Sequence, residues 1–591
     1  MKNLGLKLLL LCVMGIFTLG ASATPDKDYL CFTANADGST VGMTKYGTPY
    51  DVSLEYSTDD GKNWTSISWT EGSYGSIISQ TILLNSIGDK VYFRNAKAAD
   101  EVSGFSKSGN DYYTFEMDGS IAVSGNVMSL VDSEVKTKII PCDYCFYGLF
   151  EGCHALTSAP VLPATTLKSH CYANLFFCCS HLTSAPALPA KTLTERCYDS
   201  MFVDCVSLTD APTLPADALA TFCYYYMFNG CTGLTDAPLL PATDLAEGCY
   251  CQMFSKCTGL RESRDLPATN LAKYCCAYMF EGCTSLTNAP ALPATNLADF
   301  CYIFMFEGCT SLTNAPELPA PAIRNGCYVR MFKGCTSLKS IKVGFTKWYQ
   351  GSGTDEDMDA TALWVDGIET EGMFICPDEL VTESGENRIP SGWTQVFEVK
   401  ANKDPKYENY YSTFYSSKNA YKVPSGVTAY TGVVEEDASN SETSVLKLTA
   451  IADGIIPADE PVILRAKQSQ VYLPYTTTTA TKSTDNKLIG TDVAIDALGA
   501  NDYALSLGQN GVGFYQWKDK SIDAHKAYLT LTASAGAKAF TFELKDEPTG
   551  IESLTPTLSE GEGAIYNLNG VRVDGNYKGV VIKNGKKVYR K

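Results

Sequence analysis

Residues 301–326 read CYIFMFEGCTSLTNAPELPAPAIRNG, and residues 275–300 before them read CCAYMFEGCTSLTNAPALPATNLADF. The two segments are in register at an offset of 26 residues. The same frame runs from Cys145 to Cys327 without an insertion or deletion. Its units start at Cys145, Cys171, Cys197, Cys223, Cys249, Cys275, Cys301 and Cys327. The consensus of these eight units is C-Y-x-x-M-F-x-G-C-T-S-L-T-x-A-P-x-L-P-A-T-x-L-x-x-x. A fixed period in this range marks a stack of repeats in which each coil completes the core of its neighbours.

Reading down the columns identifies the interior. Column six is Phe in every unit (Phe150, Phe176, Phe202, Phe228, Phe254, Phe280, Phe306, Phe332), and column twelve is always Leu, from Leu156 to Leu338. Column five is Leu149 and Leu175, then Met from Met201 to Met331. Columns that never turn polar face inward. The segment around L-T-x-A predicts one short strand per coil in a parallel ladder. The segment C-Y-x-x-M-F-x-G-C predicts a helical turn, because Cys, Met/Phe and Cys recur at offsets 0, 4/5 and 8 with Gly near the end. Pro at columns sixteen and nineteen sets the bends.

The rest of the chain divides around this array. Residues 1–23 have the pattern of a signal peptide: Lys2 and Lys7, a short apolar core, and Ala21-Ser22-Ala23 as a cleavage site. Residues 24–135 predict an all-β module, with strand patterns such as DVSLEYST, TSISWT and TILLNSIGDKVYFRN separated by turn signals. Residues 136–350 are the repeat array. Residues 351–398 lose the period and predict a terminal cap over the last open core face. Residues 399–548 return to strand texture and predict a second all-β, sandwich-like module, with Gly508-Gln509-Asn510-Gly511 as its clearest turn. Residues 549–562 have linker composition, and 563–591 form a short basic, hairpin-like end. The expected fold is therefore a multi-domain chain: an eight-coil solenoid of short parallel strands and helical turns, flanked by all-β sandwich-like modules. No stretch after residue 23 is long and apolar enough to predict a membrane-spanning helix.

The repeat motif F-x-G-C-x-x-L-x-x-A…P resembles the leucine-rich repeats of BspA-like surface proteins of Bacteroidetes. The unit here is longer, has A-P-x-L-P where the family has I-x-I-P, and carries a second Cys in column one. The resemblance implies a leucine-rich-repeat solenoid and partners among host-matrix or cell-surface proteins. The end segment IYNLNGVRVDGNYKGVVIKNGKKVYRK resembles the C-terminal sorting segment of secreted Bacteroidetes proteins. Ser57-Thr58-Asp59-Asp60-Gly61-Lys62-Asn63-Trp64 resembles the Asp-box hairpin of sialidase-type propellers. A propeller would repeat this box at blade spacing, and this chain has one copy, so it is read as a folding device.

Sixteen of the 23 cysteines fall in columns one and nine. Three arrangements fit: pairing within a coil, pairing of like columns between neighbouring coils, and free thiols acting as small buried hydrophobes. Cys142 and Cys145 form a C-x-x-C near His154, His170 and His181, a set that would suit zinc or a redox dithiol. Against that, Cys145 already serves a repeat column, and the histidines occupy columns that vary freely, so no metal or cofactor is assigned. His525 stands alone in the C-terminal module. The chain holds no G-x-S-x-G, H-E-x-x-H or phosphate loop, and no catalytic residue is assigned.

The net charge of −19 argues against nucleic-acid binding. The ligand-contact candidates are the column-two tyrosines Tyr172, Tyr198, Tyr224, Tyr250, Tyr302 and Tyr328, which either face a ligand or stack to close the coil edge. In the second case, specificity falls to columns three, four, seven and twenty-four to twenty-six, which nothing structural holds constant. The function expected is that of a non-enzymatic secreted or cell-surface binding protein, an adhesin or interaction scaffold for host or neighbouring-cell proteins. The alternatives are a glycan-binding component of a surface uptake system and a structural surface-layer protein.

Overall fold

A computed structural model describes residues 27–590 apart from 74–75, 350, 352–356, 381, 406–407, 436–442, 509–510, 531–538, 546–564, 568–571, 574–578 and 584–585. The signal-peptide and linker segments expected at 1–23 and 549–562 lie outside the described residues, as does the centre of the turn at 508–511. The chain forms two compact units. One runs through Val399 and includes Gln470–Thr477; the other comprises Lys400–Ser469 and Thr478 onward. Among the described residues, no helix is long and apolar enough to cross a membrane.

The leucine-rich-repeat solenoid with helical turns does not form. The described residues hold no α-helix; helical content is limited to 3₁₀ turns such as Ala99–Glu101 and Val127–Leu130. The coil that begins at Cys223 shows what replaces the helical turn. The backbone N–H groups of Cys223, Tyr225, Met227, Asn229 and Cys231 each donate three residues back, to Ala220, Phe222, Tyr224, Tyr226 and Phe228. The alternate N–H groups of Tyr224, Tyr226, Phe228 and Gly230 leave the coil and donate to Cys249, Cys251, Met253 and Ser255 of the next one, at 2.9–3.1 Å. An α-helix would spend both sets internally. Here every fourth residue turns left-handed instead: Phe222 (φ 52°), Tyr226 (54°) and Gly230 (72°). The same three positions recur as His170, Asn174 and Cys178, as Arg196, Ser200 and Asp204, and as Gly326, Arg330 and Gly334.

The predicted strand per coil is also reduced. Leu156–Ser158, Asn314–Leu318 and Ser340–Val343 are strands, but along this segment the coils between them are paired through isolated parallel bridges, such as Asp210↔Asp236 and Asp236↔Glu262. Pro at columns sixteen and nineteen removes N–H donors just after the column-fourteen bridge in most coils, which limits the ladder on that side.

Side chains fill the stack column by column. The column-six rings lie parallel at 5.5–5.8 Å between centroids, from Phe150–Phe176 to Phe306–Phe332. All column-six and column-twelve side chains are at most 1% exposed. The 22 described cysteines are free thiols. Cys153 Sγ of the first coil donates to Phe115 O, and from Cys179 onward each column-nine thiol donates to a column-six carbonyl of the preceding coil, as Cys231 Sγ does to Phe202 O at 3.0 Å and Cys309 Sγ to Phe280 O at 3.1 Å. That carbonyl has a second lone pair because its other bond is the turn N–H, here from Cys205. The sulfur thus joins neighbouring coils as a weak donor while packing as a small hydrophobe.

Both ends of the stack are closed by β structure. Before it, Leu30–Ala34 pairs antiparallel with Lys90–Asn95 and Ile121–Ser124, and Ser39–Lys45 pairs antiparallel with Tyr113–Asp118. Phe32, Phe93 and Phe115 pack between these strands, and Phe115 stacks on Phe150 at 5.4 Å, so the column of rings continues without a break. Ile121–Ser124 runs parallel to Leu156–Ser158 of the first coil. After the stack, a ninth turn segment begins at Ala360, 33 residues after Cys327, seven more than the period. Its carbonyls at Ala360, Ala362, Trp364 and Asp366 accept from Tyr328, Arg330, Phe332 and Gly334. Trp364 is fully buried at the end of the ring column. Ser340–Val343, Met373–Ile375 and Thr394–Lys400 continue the parallel ladder.

The second unit corrects the expected sandwich at 399–548. Ten of its strands form one sheet with the order Asn402–Lys403, Tyr410–Phe414, Val462–Ala466, Thr428–Glu435, Thr443–Ala450, Ala539–Lys545, Gly511–Gln516, Asp502–Gly508, Lys526–Thr530 and Ile489–Thr491, and Ala420–Lys422 pairs separately with Ile455–Ile456. The sheet curls over a core that includes Tyr411, Leu446, Leu448, Ile463, Tyr503, Phe514 and Leu529. Its two ends meet where the Ala527 N–H donates to Thr413 Oγ1 at 3.0 Å and the Tyr415 N–H to His525 O at 3.2 Å. A separate antiparallel sheet at the C-terminus orders its strands Arg572–Val573, Ile565–Asn567, Gly579–Lys583 and Lys586–Arg590.

Candidate functional site: the turn face of the coils

The column-two tyrosines lie inside. Tyr172, Tyr198, Tyr224, Tyr250, Tyr302 and Tyr328 are only 1–2% exposed. Tyr172, Tyr198, Tyr224 and Tyr250 stack at 5.8–6.0 Å, and Tyr302 stacks on Tyr328 at 6.2 Å, with Cys276 interrupting the column. The hydroxyls of Tyr172 and Tyr250 are buried without a partner. These rings form a second internal spine beside the phenylalanine column and present no face to solvent.

The left-handed turn geometry decides which columns do. Columns one, two, five, six and nine point into the stack, whereas columns twenty-six, three, four and seven form its turn face. From the end of the third coil to the seventh this face is rich in aromatic rings. Phe222, Tyr225, Tyr226, Tyr274, Tyr278 and Phe304 are half-buried along it. Tyr274 stacks on Phe300 at 5.1 Å and Tyr278 on Phe304 at 4.3 Å. Beneath them lies a small apolar bed of Cys251, Ala277, Phe300, Ile303 and Val329. Two glycines make room for rings to lie flat. A Cβ on Gly248 would fall 2.1 Å from Phe222 Cε1, and one on Gly326 would fall 2.3 Å from Phe300 Cε1; both glycines are also left-handed.

Cations cover the ring faces. The Arg196 guanidinium lies 4.5 Å from the Phe222 centroid and 5.3 Å from that of Tyr225, the Lys273 ammonium 5.0 Å from Tyr274, and the Arg330 guanidinium 4.6 Å from Phe304. Acids hold two of these cations. Asp199 accepts from Arg196 Nη1 at 2.6 Å and from Ser200 Oγ at 2.7 Å, and Glu307 pairs with Arg330. Burial pushes the Asp199 carboxyl above its ordinary value, outweighing the hydrogen bonds from Ser200 and Arg196 that pull it down. Glu307 is raised by burial in the same way, against the pull of Arg330. The face therefore combines flat apolar area, fixed charge and hydroxyls, the chemistry of a recognition surface.

The other sequence candidates are dispersed. Hydrogen bonding with Cys145 lowers the pKa of the Cys142 thiol, whereas burial alone is enough to push that of Cys171 up to about 12. His154 Nδ1 lies 3.2 Å from Ser180 Oγ, His181 Nδ1 lies 2.7 Å from His154 O, and His170 stacks on Tyr144 at 4.3 Å. These histidines and the C-x-x-C thiols do not converge on a common ligand position. His525 is buried against the Tyr415 carbonyl, 3.3 Å away. The Asp-box residues close their own turn: Asp59 accepts from Ser57 Oγ and the Asn63 N–H, and Trp64 Nε1 donates to Gly61 O. The Arg94 guanidinium covers Trp64 at 4.0 Å.

Sequence reasoning nominated the turn-face columns by position without singling out their aromatic residues. The available signal was the concentration of rings in columns twenty-six, three and four from Phe222 to Phe304, against Gly, Ala, Asn, Asp and Ser at many of the same columns elsewhere. No family model, no curated protein and no solved structure matches the chain.

Proposed function

We propose that the chain is a secreted or cell-surface binding protein, without catalysis, that engages a protein partner on a host or neighbouring cell through the aromatic turn face of its coils. The observation that carries this reading is the run of half-buried rings at Phe222, Tyr225, Tyr226, Tyr274, Tyr278 and Phe304, held by interior columns that do not need them. Flat aromatic area ringed by charge gives protein contacts at low entropic cost. The resemblance of the F-x-G-C-x-x-L motif to BspA-like surface proteins points to the same class of partner. The signal-like start and sorting-like end support export to the cell surface.

The test is a screen of the full chain against extracellular-matrix proteins and a glycan array. Binding to a matrix protein that falls at least about tenfold in a Tyr226→Ala/Tyr278→Ala/Phe304→Ala variant supports the reading. Binding to glycans alone would overturn it.

A further inference from the structure

The second unit contains a polar cavity of about 340 Å³ that plays no part in the reading above. That is at the lower end of the ~300–1,000 Å³ range of small-molecule sites. Its wall is built where the two ends of the curled sheet meet. Ser412 and Thr413 come from the strand next to one end, Lys526 and Ala527 from the strand next to the other, and the loop carrying Trp517 and Asp523 closes the side. This loop is tied down: Trp517 Nε1 donates to Ser521 O at 2.9 Å, the Trp517 N–H to Asp502 O at 2.9 Å, and Ile522 exchanges two backbone bonds of 2.9 Å with Ile495.

Lys526 is the group that asks for a ligand. It lines the cavity, and its Nζ donates to Ser412 Oγ at 2.8 Å and to Thr413 O at 3.5 Å. No carboxylate lies within ion-pair distance of it among the described residues. A half-buried ammonium whose direct partners are neutral acceptors, with only the more distant Asp523 carboxylate acting on it, leaves its charge partly uncompensated, which costs free energy unless an anion completes the site. Burial lowers the Lys526 pKa and outweighs the opposing pull of Asp523. Lys400 adds a second cation at the wall.

The other lining groups narrow the anion. Asp523 beside the cavity disfavours a dianion such as phosphate, but its carboxylate can accept from hydroxyls. Asn402 offers both a donor and an acceptor. The Trp517 ring, which carries the Lys520 ammonium 4.3 Å from its centroid, supplies a flat wall of the kind that packs against the C–H face of a pyranose. We propose that this cavity binds a sugar acid, a hydroxylated ring with one carboxylate. The carboxylate would meet Lys526, the hydroxyls Asp523 and Asn402, and the ring face Trp517.

The experiment is calorimetric titration of the full chain with D-glucuronate, D-glucose and acetate, together with an oligosaccharide ending in glucuronate. Glucuronate should bind at least about tenfold more tightly than glucose or acetate, and Lys526→Met should remove that preference. Trp517→Leu at the cavity rim should weaken glucuronate binding without disturbing the sheet, and serves if Lys526→Met fails to fold. Tighter binding of the oligosaccharide places the natural ligand at a glycan end; tighter binding of free glucuronate makes it a soluble sugar acid. Equal affinity for glucose and glucuronate would overturn the proposal, as would glucuronate binding unchanged by Trp517→Leu. Neither result bears on the coil face, which lies in the other unit.

Discussion

Two regions of the coil stack share one backbone and answer to different constraints. Inside, each column carries nearly the same residue in every coil: Phe at six, Leu at twelve, Cys at one and nine. Outside, on the turn face, the same turn positions carry Gly, Ser, Asn, Arg, Phe or Tyr. Because each coil is stabilised only by its neighbours, an interior residue must match the ones directly above and below it. A turn-face residue has to satisfy only its own left-handed φ. The comparison teaches that repetition measures stacking, and that function is to be sought where repetition fails.

The largest expected effect tests the interior half of this contrast. Phe228→Ala removes a ring stacked on both Phe202 and Phe254 and should lower the unfolding free energy by ~3–5 kcal/mol in urea titration. Tyr226→Ala, two residues earlier on the turn face, should change it by no more than about 0.5 kcal/mol, as expected for a surface position. Comparable losses for the two would erase the distinction.

The next effect probes where interior and face meet. Gly248→Ala places a Cβ against the Phe222 ring at a left-handed position, and should cost about 1–3 kcal/mol. Combining it with Phe222→Ala should recover part of the loss, read as a coupling free energy in a double-mutant cycle. Purely additive losses would mean that the φ requirement alone fixes glycine there.

The cysteines give a smaller and more discriminating result. Cys231→Ala loses a buried sulfur and its bond to Phe202 O and should cost about 1–2 kcal/mol. Because the thiols are free and buried, a reductant should leave the unfolding midpoint where it is. A midpoint that falls on reduction would instead show disulfides joining the columns.

How much of this was readable in the sequence follows from the same contrast. The period and the interior columns were legible because identical side chains stack at fixed offsets. The backbone between them was not. Apolar residues at offsets 0, 4/5 and 8 suit a helix of 3.6 residues per turn, and they suit equally a chain of turns that reverses every fourth residue. Nothing in the composition of the reversing positions signals a left-handed φ, since Phe222, Tyr226, Gln252, Lys256 and Arg330 all occupy them. Such residues avoid that region on their own; here the inter-coil hydrogen bonds from the alternate N–H groups hold them in it. For the column-two tyrosines the sequence left stacking and ligand contact open, and the turn geometry decides for stacking. The ninth turn segment was hidden by its seven extra residues and by Ala360 and Ile368 standing where the column cysteines would be. In the second unit, alternation located many of the strands. Closure of the sheet joins Thr413 to Ala527, a pairing too distant in sequence for any local pattern to reveal.

The smallest effect is electrostatic and separates two aspartates by the sign of their shift. Asp59 closes the exposed Asp-box turn. Its carboxylate accepts first from the Asn63 N–H, then from the Ser57 hydroxyl and the Asn63 side chain, and these bonds hold its pKa at about 2 against an ordinary 3.8. A depressed pKa means that the folded state favours the charged form. The stability it contributes is therefore present above the ordinary value and is lost as pH falls through the folded one. Asp199 on the turn face runs the other way, because burial raises its pKa despite Arg196. Its folded state favours the proton, so its contribution is present at low pH and is lost as pH rises through the raised value. Unfolding midpoints of Asp59→Asn and Asp199→Asn, measured across the acid range, should diverge. The first substitution should flatten the loss of stability between pH 3.8 and about 2. The second should relieve a loss that begins above the ordinary aspartate value. Should both variants shift the acid limb in the same direction, the turn face would be setting stability like the rest of the fold, and its claim to be the part of the stack left open for recognition would fail.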